Sequence, residues 1–188
     1  MIYLVRHGES KANINKRFCG ITDVDLSELG RTQAYEAALK LKGLKVSNIY
    51  SSPLKRALET AKIISEQINV NIETVDCLKE VNFGIFENMT WDEMVNDYKE
   101  ETDNWIEFGF NYKFPEGESY DDILNRIMDF LENIEDNSVI VSHFGVIQGI
   151  LLYFKIANSS SIWDYRISNC DILVLNNKKL EKIIRCNI

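Results

Sequence analysis

Residues 1–10 read MIYLVRHGES. Ile2–Val5 is an unbroken apolar run of the length of a buried strand. It runs directly into Arg6, His7 and Gly8. An arginine at the end of a buried strand is costly unless an anion meets it. A glycine just beyond it lets the backbone turn tightly and approach a ligand closely. The chain has only two histidines in 188 residues. The second, His143, lies in NSVIVSHFGVIQG (137–149), again an apolar strand followed by a polar residue and a histidine near glycine. Two copies of one local pattern, holding every histidine of the chain, point to a site and not to two unrelated structural imidazoles.

Working outward, strand-like and helix-like segments alternate. The stretch 26–44 has helical spacing at Leu29, Ala37, Leu41 and Leu44, with Ser27 as N-cap and Gly43 as stop. VSNIYSS (46–52) reads as a strand and 53–68 as a helix with Pro53 in its first turn. VNIETV (70–75) is a third strand. Thr90 with Glu93 forms a capping box, and 119–134 is an amphipathic helix with Ile123, Ile127, Phe130, Leu131 and Ile134 on one side. SVIVS (138–142) is a strand, 145–156 a buried helix, and 170–177 with 179–186 a closing hairpin about Asn176-Asn177. This alternation predicts an α/β fold, a three-layer α/β/α sandwich on a mostly parallel sheet. One domain over 1–188 is expected, with a lid-like insertion around 84–118. In such sheets ligands bind beyond the carboxyl ends of the strands, where both histidines and Ser51-Ser52 fall.

The net charge of −8 argues against a nucleic-acid partner. It does not exclude a small anion, because a few cations in a cleft dominate the local field. No apolar run approaches the ~20 residues that span a bilayer, so no membrane partner is expected. No leader segment is expected either, and the expected location is cytoplasmic. Cys19, Cys77, Cys170 and Cys186 show no Cys-x-x-Cys pair and read as free thiols. A homodimer is left open.

The groups converging at the strand ends are Arg6, His7, Arg56 and His143. The two arginines offer planar forks suited to phosphate oxygens. A neutral imidazole can attack phosphorus and form a covalent intermediate. Glu80 lies between apolar neighbours that raise its pKa, as a leaving-group acid requires. The chain has no Gly-x-x-x-x-Gly-Lys loop for nucleoside triphosphates.

These residues carry a resemblance. LVRHGES (4–10), DLSELGRTQA (25–34), SSPLKRALETA (51–61), LKEVNFGIFEN (78–88), PEGES (115–119) and VSHFGVI (141–147) resemble, in chain order, the motifs of the histidine phosphatase superfamily, the phosphoglycerate-mutase-like proteins. The resemblance implies a phosphoglycerate-mutase-like fold and a phosphohistidine mechanism. His7 would be the nucleophile, Arg6, Arg56 and His143 the phosphoryl clamp, and Glu80 the proton donor. Asn13, Gly20 and Phe144 would join the phosphate-binding set, with Glu9 and Ser10 in support. No metal and no cofactor are implied. Phe144, Asn88 and Cys19 depart from the glycine, glycine and threonine or serine common at those positions.

A rival reading takes Asp23-x-Asp25 as a magnesium-phosphatase motif, but no buried strand precedes it. A non-catalytic phosphate-binding protein is a second rival. Mutase chemistry is the third: the interval from Glu80 to His143 offers only Lys99, Lys113 and Arg126 to a second phosphate. The expected activity is hydrolysis of a small phosphomonoester. α-Ribazole phosphate is the leading candidate, on the resemblance to compact α-ribazole phosphatases and on the aromatic run Trp105–Phe114.

Overall fold

The computed structural model describes residues 1–186. Its centre is a six-stranded sheet in the order β4-β3-β6-β1-β7-β8. The strands are β1 (Ile2–Arg6), β3 (Asn48–Ser51), β4 (Ile72–Thr74), β6 (Ser138–Ser142), β7 (Ile172–Asn176) and β8 (Lys179–Ile184). The first four of that order run parallel, whereas β7 is antiparallel to both β1 and β8.

β1 shows why the fold has three layers. All of Ile2–Val5 is buried, yet successive side chains leave opposite faces. Ile2 and Leu4 join one core with α6 (Tyr120–Glu132) and α7 (Phe144–Tyr153). Tyr3 and Val5 join the other with α2 (Glu28–Leu41) and α3 (Lys55–Ile68). The expected α/β/α sandwich is therefore observed.

Local signals and structure agree at several ends. Ser27 accepts from Gly30 N–H and caps α2. Thr90 and Glu93 form the capping box of α4 (Trp91–Asp97). Three details differ. The buried face of α2 is Gly30, Ala34, Ala37, Ala38 and Leu41, while Leu29 and Leu44 are exposed. α3 starts at Lys55, with Pro53 outside it and Leu54 as an N-cap that makes no side-chain bond. Instead Asp23 Oδ1 accepts from Lys55 N–H. The hairpin turn is Asn177-Lys178, both at positive φ, and Asn176 pairs with Lys179.

Four elements lie outside the expected set. α1 (Lys11–Ile14) follows β1 directly. Two-residue strands β2 (Arg17–Phe18) and β5 (Met89–Thr90) pair with each other. α5 (Lys99–Phe108) carries part of the aromatic run. In residues 84–118, Phe86, Met94, Tyr112 and Phe114 are buried in the α6/α7-side core. No helix among the described residues is long and apolar enough to cross a membrane.

Candidate active site

Register brings the two histidines together. β1 and β6 are parallel neighbours, with Arg6 opposite Ser142. The next residue on each strand is a histidine, and their ring centroids lie 5.1 Å apart. β3 flanks β6 with Ser51 opposite Val141. Ser52 thus reaches His143, with Oγ 2.8 Å from Nε2.

His7 Nδ1 lies 2.7 Å from the Gly8 carbonyl. A carbonyl only accepts, so Nδ1 carries the hydrogen and Nε2 keeps its lone pair. Burial pushes the His7 imidazole well below its usual range, and Arg56 and Arg6 add to the shift. The ring is therefore neutral at neutral pH, as a nitrogen nucleophile must be. Its backbone is held by Asn169 Nδ2, which donates to the His7 carbonyl at 2.9 Å. Gly8 N–H donates to Thr60 Oγ1 at 3.0 Å.

His143 is fully buried and also shifted well below its usual range, first by burial and then by Arg56. Ser52 Oγ already accepts from Leu54 N–H. In the tautomer that offers a donor to a phosphoryl oxygen, Ser52 gives its own hydrogen to His143 Nε2 and the imidazole hydrogen sits on Nδ1. That Nδ1 is buried without a hydrogen-bond partner, as is Arg6 Nε. Each buried, unpaired donor costs about 1–3 kcal/mol. An oxyanion beside His7 would relieve both.

The arginines are presented differently. Arg6 Nη1 donates to Ile167 O at 2.6 Å, and Phe144 covers the guanidinium at 5.3 Å from its ring centroid. Phe144 thereby fixes the arginine as well as forming pocket wall. Arg56 is 1% exposed. It donates to the carbonyls of Thr22, Cys19 and Gly20 at 3.0, 3.1 and 2.6 Å.

Glu80 is 7% exposed. It accepts from its own neighbour's N–H, Val81, at 2.9 Å and from Gly145 N–H at 3.3 Å. Burial raises its pKa, opposed by those bonds and by Arg56 and Arg6. The net shift favours the protonated acid. A side chain on Gly145 would meet Glu80 Oε1 at 2.7 Å, so glycine there lets the carboxyl sit over the helix end.

Asn13 lines the cavity but spends Oδ1 on Ser10, accepting from its N–H at 2.9 Å. Its amide NH₂ is the part left for a ligand. Gly20 N–H donates to Glu87, and its carbonyl accepts from Arg56. Gly20 thus serves the site through those two side chains. The family departures are absorbed locally. Asn88 takes the left-handed backbone conformation at φ 60°, which asparagine tolerates best among L-residues with side chains. Cys19 contributes a carbonyl, which any residue supplies.

The cavity over His7 has a volume of about 440 Å³, in the range of small-ligand sites. Its apolar wall is Phe18, Phe83, Tyr120 and Phe144. Trp105 and Phe114 do not line it. They pack behind Phe18 and Phe83 at centroid distances of 4.9–6.2 Å, counting their contact with each other. Phe110 stacks on Tyr120 at 3.7 Å, while Phe108 is exposed. The run Trp105–Phe114 is thus mainly backing. Asp23 caps α3 and Asp25 pairs with Lys11 at 3.1 Å. Both carboxylates are thus committed to partners in the protein, which speaks against the magnesium-motif reading.

Sequence reasoning missed two organising side chains. Glu87 accepts from the N–H groups of Gly20, Ile21, Thr22 and Phe83 and from the Thr22 hydroxyl. It clamps the loop whose carbonyls hold Arg56. Arg126 donates to the carbonyls of Cys77, Lys79 and Glu80 and pairs with Glu118 at 3.0 Å. It sets the turn that carries Glu80. A carboxylate or guanidinium satisfying backbone has no sequence period, so only the family pattern around Glu87 and Glu118 could have marked them.

A neutral, lone-pair-bearing histidine beside two arginines, a second histidine and a carboxyl of raised pKa is an arrangement suited to phosphoryl chemistry. The comparisons with known proteins agree. The model of the histidine phosphatase superfamily (branch 1) matches residues 2–186. The chain belongs to this superfamily. It is 31% identical over 188 residues to phosphoserine phosphatase 1 of Hydrogenobacter thermophilus, covering 97% of this chain and 89% of the relative. A mycobacterial glucosyl-3-phosphoglycerate phosphatase superimposes with a TM-score of 0.81 at 25% identity, over 92% of this chain and 87% of the other. The alpha-ribazole phosphatase from Shigella flexneri does so at 0.83 and 23% identity, over 95% and 92%, a likeness of fold.

Proposed function

We propose that the chain hydrolyses small phosphomonoesters through a phosphohistidine at His7. The observation that carries this reading is the pair of buried, unpaired nitrogens, Arg6 Nε and His143 Nδ1, beside an imidazole whose Nε2 lone pair is uncommitted. In the first step Nε2 attacks phosphorus, and the P–N bond forms as the ester P–O bond breaks. Glu80 gives its proton to the leaving oxygen. In the second step a water attacks phosphorus and gives a proton to the Glu80 carboxylate. The P–N bond breaks, releasing phosphate and restoring neutral His7 and protonated Glu80. Arg6, Arg56 and His143 offset phosphoryl charge throughout.

Hydrolysis is favoured over mutase chemistry by where the cations of 80–143 go. Lys99 pairs with Asp103, Lys113 with Asp122 and Arg126 with Glu118. None of the three lines the cavity.

The aromatic wall supports one substrate reading, α-ribazole phosphate, whose planar base would stack on Phe18, Phe83, Tyr120 or Phe144. Stacking of this kind is worth about 1 kcal/mol per contact. The test is phosphate release from p-nitrophenyl phosphate, α-ribazole phosphate, phosphoserine, 3-phosphoglycerate and a sugar phosphate. Turnover of at least the aryl ester is expected, and inertness toward all five would sink the reading.

The positive charge comes from side chains, so activity is expected to survive EDTA. Vanadate, which reaches a five-coordinate geometry like that of phosphoryl transfer, is expected to inhibit. It should also raise the melting temperature, because it binds the folded state and satisfies the two unpaired nitrogens. Loss of activity on chelation, restored by magnesium, would contradict this.

A further inference from the structure

The chain carries a net charge of −8, yet its cavity has the opposite sign. Arg6, Lys16 and Arg17 line it, against one carboxyl, Glu80, which burial keeps toward its neutral form. The acidic side chains of residues 92–103 stay out of it. A phosphoryl group at His7 is already served by Arg6, Arg56 and His143. The surplus charge lies elsewhere on the wall, on the segment just after α1.

Arg17 does not supply that surplus. Glu93 neutralises it through two bonds of 2.9 and 3.2 Å, and its Nη1 also donates to the Asn88 carbonyl. Lys16 does supply it. Among the described residues it has no ion-pair partner in the protein, and it is exposed at the cavity mouth. Its backbone sits at φ 52°, where an L-residue is strained, held by a bond from its N–H to Asn13 O at 3.1 Å. A helix-end position in this conformation suits glycine or asparagine better than lysine. Here it carries the one uncommitted ammonium of the wall.

We propose that Lys16 forms a second anion subsite, so that the substrate is a small phosphomonoester bearing another acid group, a carboxylate or a second phosphate. The phosphoryl end meets His7 and the acid end meets Lys16, with the aromatic wall along the spacer between them. This rests on the phosphatase reading and narrows its substrate class. It ranks acid-bearing esters above α-ribazole phosphate, whose base is neutral. It adds, from position 16, a cation outside the interval 80–143, whose own cations are paired elsewhere.

The experiment compares matched substrates. Phosphoserine and phosphoethanolamine differ only in a carboxylate. 3-Phosphoglycerate and glycerol 3-phosphate differ in a carboxylate against a hydroxymethyl group. In wild type, kcat/KM should favour the acid-bearing member of the pair that is turned over. In Lys16→Gln that preference should shrink about tenfold, the scale of one charge-assisted bond, while Lys16→Arg restores most of it. Lys16→Gly, which relieves the backbone, should behave like the glutamine variant and control for folding. Equal loss on both members would mean that Lys16 only steers dianions, and would overturn the subsite. So would an unchanged preference, or α-ribazole phosphate as the best substrate. A wild type inert on p-nitrophenyl phosphate would instead overturn the phosphatase reading on which this stands.

Discussion

His7→Ala is expected to reduce phosphate release by more than about 10⁴-fold, the scale on which losing a nucleophile falls. The reason is geometric. Arg6, Arg56 and His143 can still bind the phosphoryl group, but no lone pair faces phosphorus. His143 is a poor substitute, because its Nε2 is committed to Ser52 Oγ at 2.8 Å. Binding should therefore outlast catalysis, with phosphate still protecting the variant against heat. Brief mixing of wild type with labelled ester, quenched in alkali, should leave acid-labile label on His7. Label on Cys19, which also borders the cavity, or on an aspartate would defeat the mechanism.

Glu80→Gln is the second large effect. General acid catalysis contributes about 10²–10⁴-fold, or roughly 3–5 kcal/mol of barrier. The loss should approach the upper figure for alkyl esters, whose alkoxide leaves poorly. It should be small for p-nitrophenyl phosphate, whose phenolate needs little protonation. The pH dependence follows from the direction of the shift. Burial raises the Glu80 pKa, so the acid form persists above the ordinary carboxylate range. Burial lowers that of His7, so the nucleophile stays neutral below the ordinary imidazole range. Turnover of alkyl esters should hold from mildly acidic pH upward and fall as pH rises through the Glu80 pKa. The glutamine variant should lack that falling limb. Equal losses on alkyl and aryl esters would show that another group donates the proton.

What the sequence made legible was what repeats or alternates. Ile2–Val5 and Val139–Val141 announce themselves because both faces of the sheet are covered, and the histidines that follow them inherit their neighbourhood from strand register. Ser27 and Thr90 are legible because a cap binds within three residues. α1 was invisible for an instructive reason. Ser10 and Asn13 close a reciprocal cap over a four-residue helix, whereas the resemblance marks Asn13 for the phosphate and Ser10 for support. β2 and β5 are too short for any period, and their pairing joins Phe18 to Met89, far apart in the chain. The aromatics of α5 show how one composition serves two purposes: Trp105 fills core while Phe108 faces solvent. The cation at Lys16 was unreadable because a charge shows its value only when the wall around it is known.

Arg56 offers one more consequence. Among the described residues it is gripped by main-chain carbonyls and by no side chain, and a carbonyl is the same whatever residue bears it. Letters can therefore change at positions 19 and 21 while the guanidinium keeps its place. Gly20 is the exception, since a β-carbon there would come within 1.8 Å of the Val81 carbonyl. Descendants of this chain are free to rewrite the mouth of the cavity for a new ester and inherit the chemistry beneath it intact.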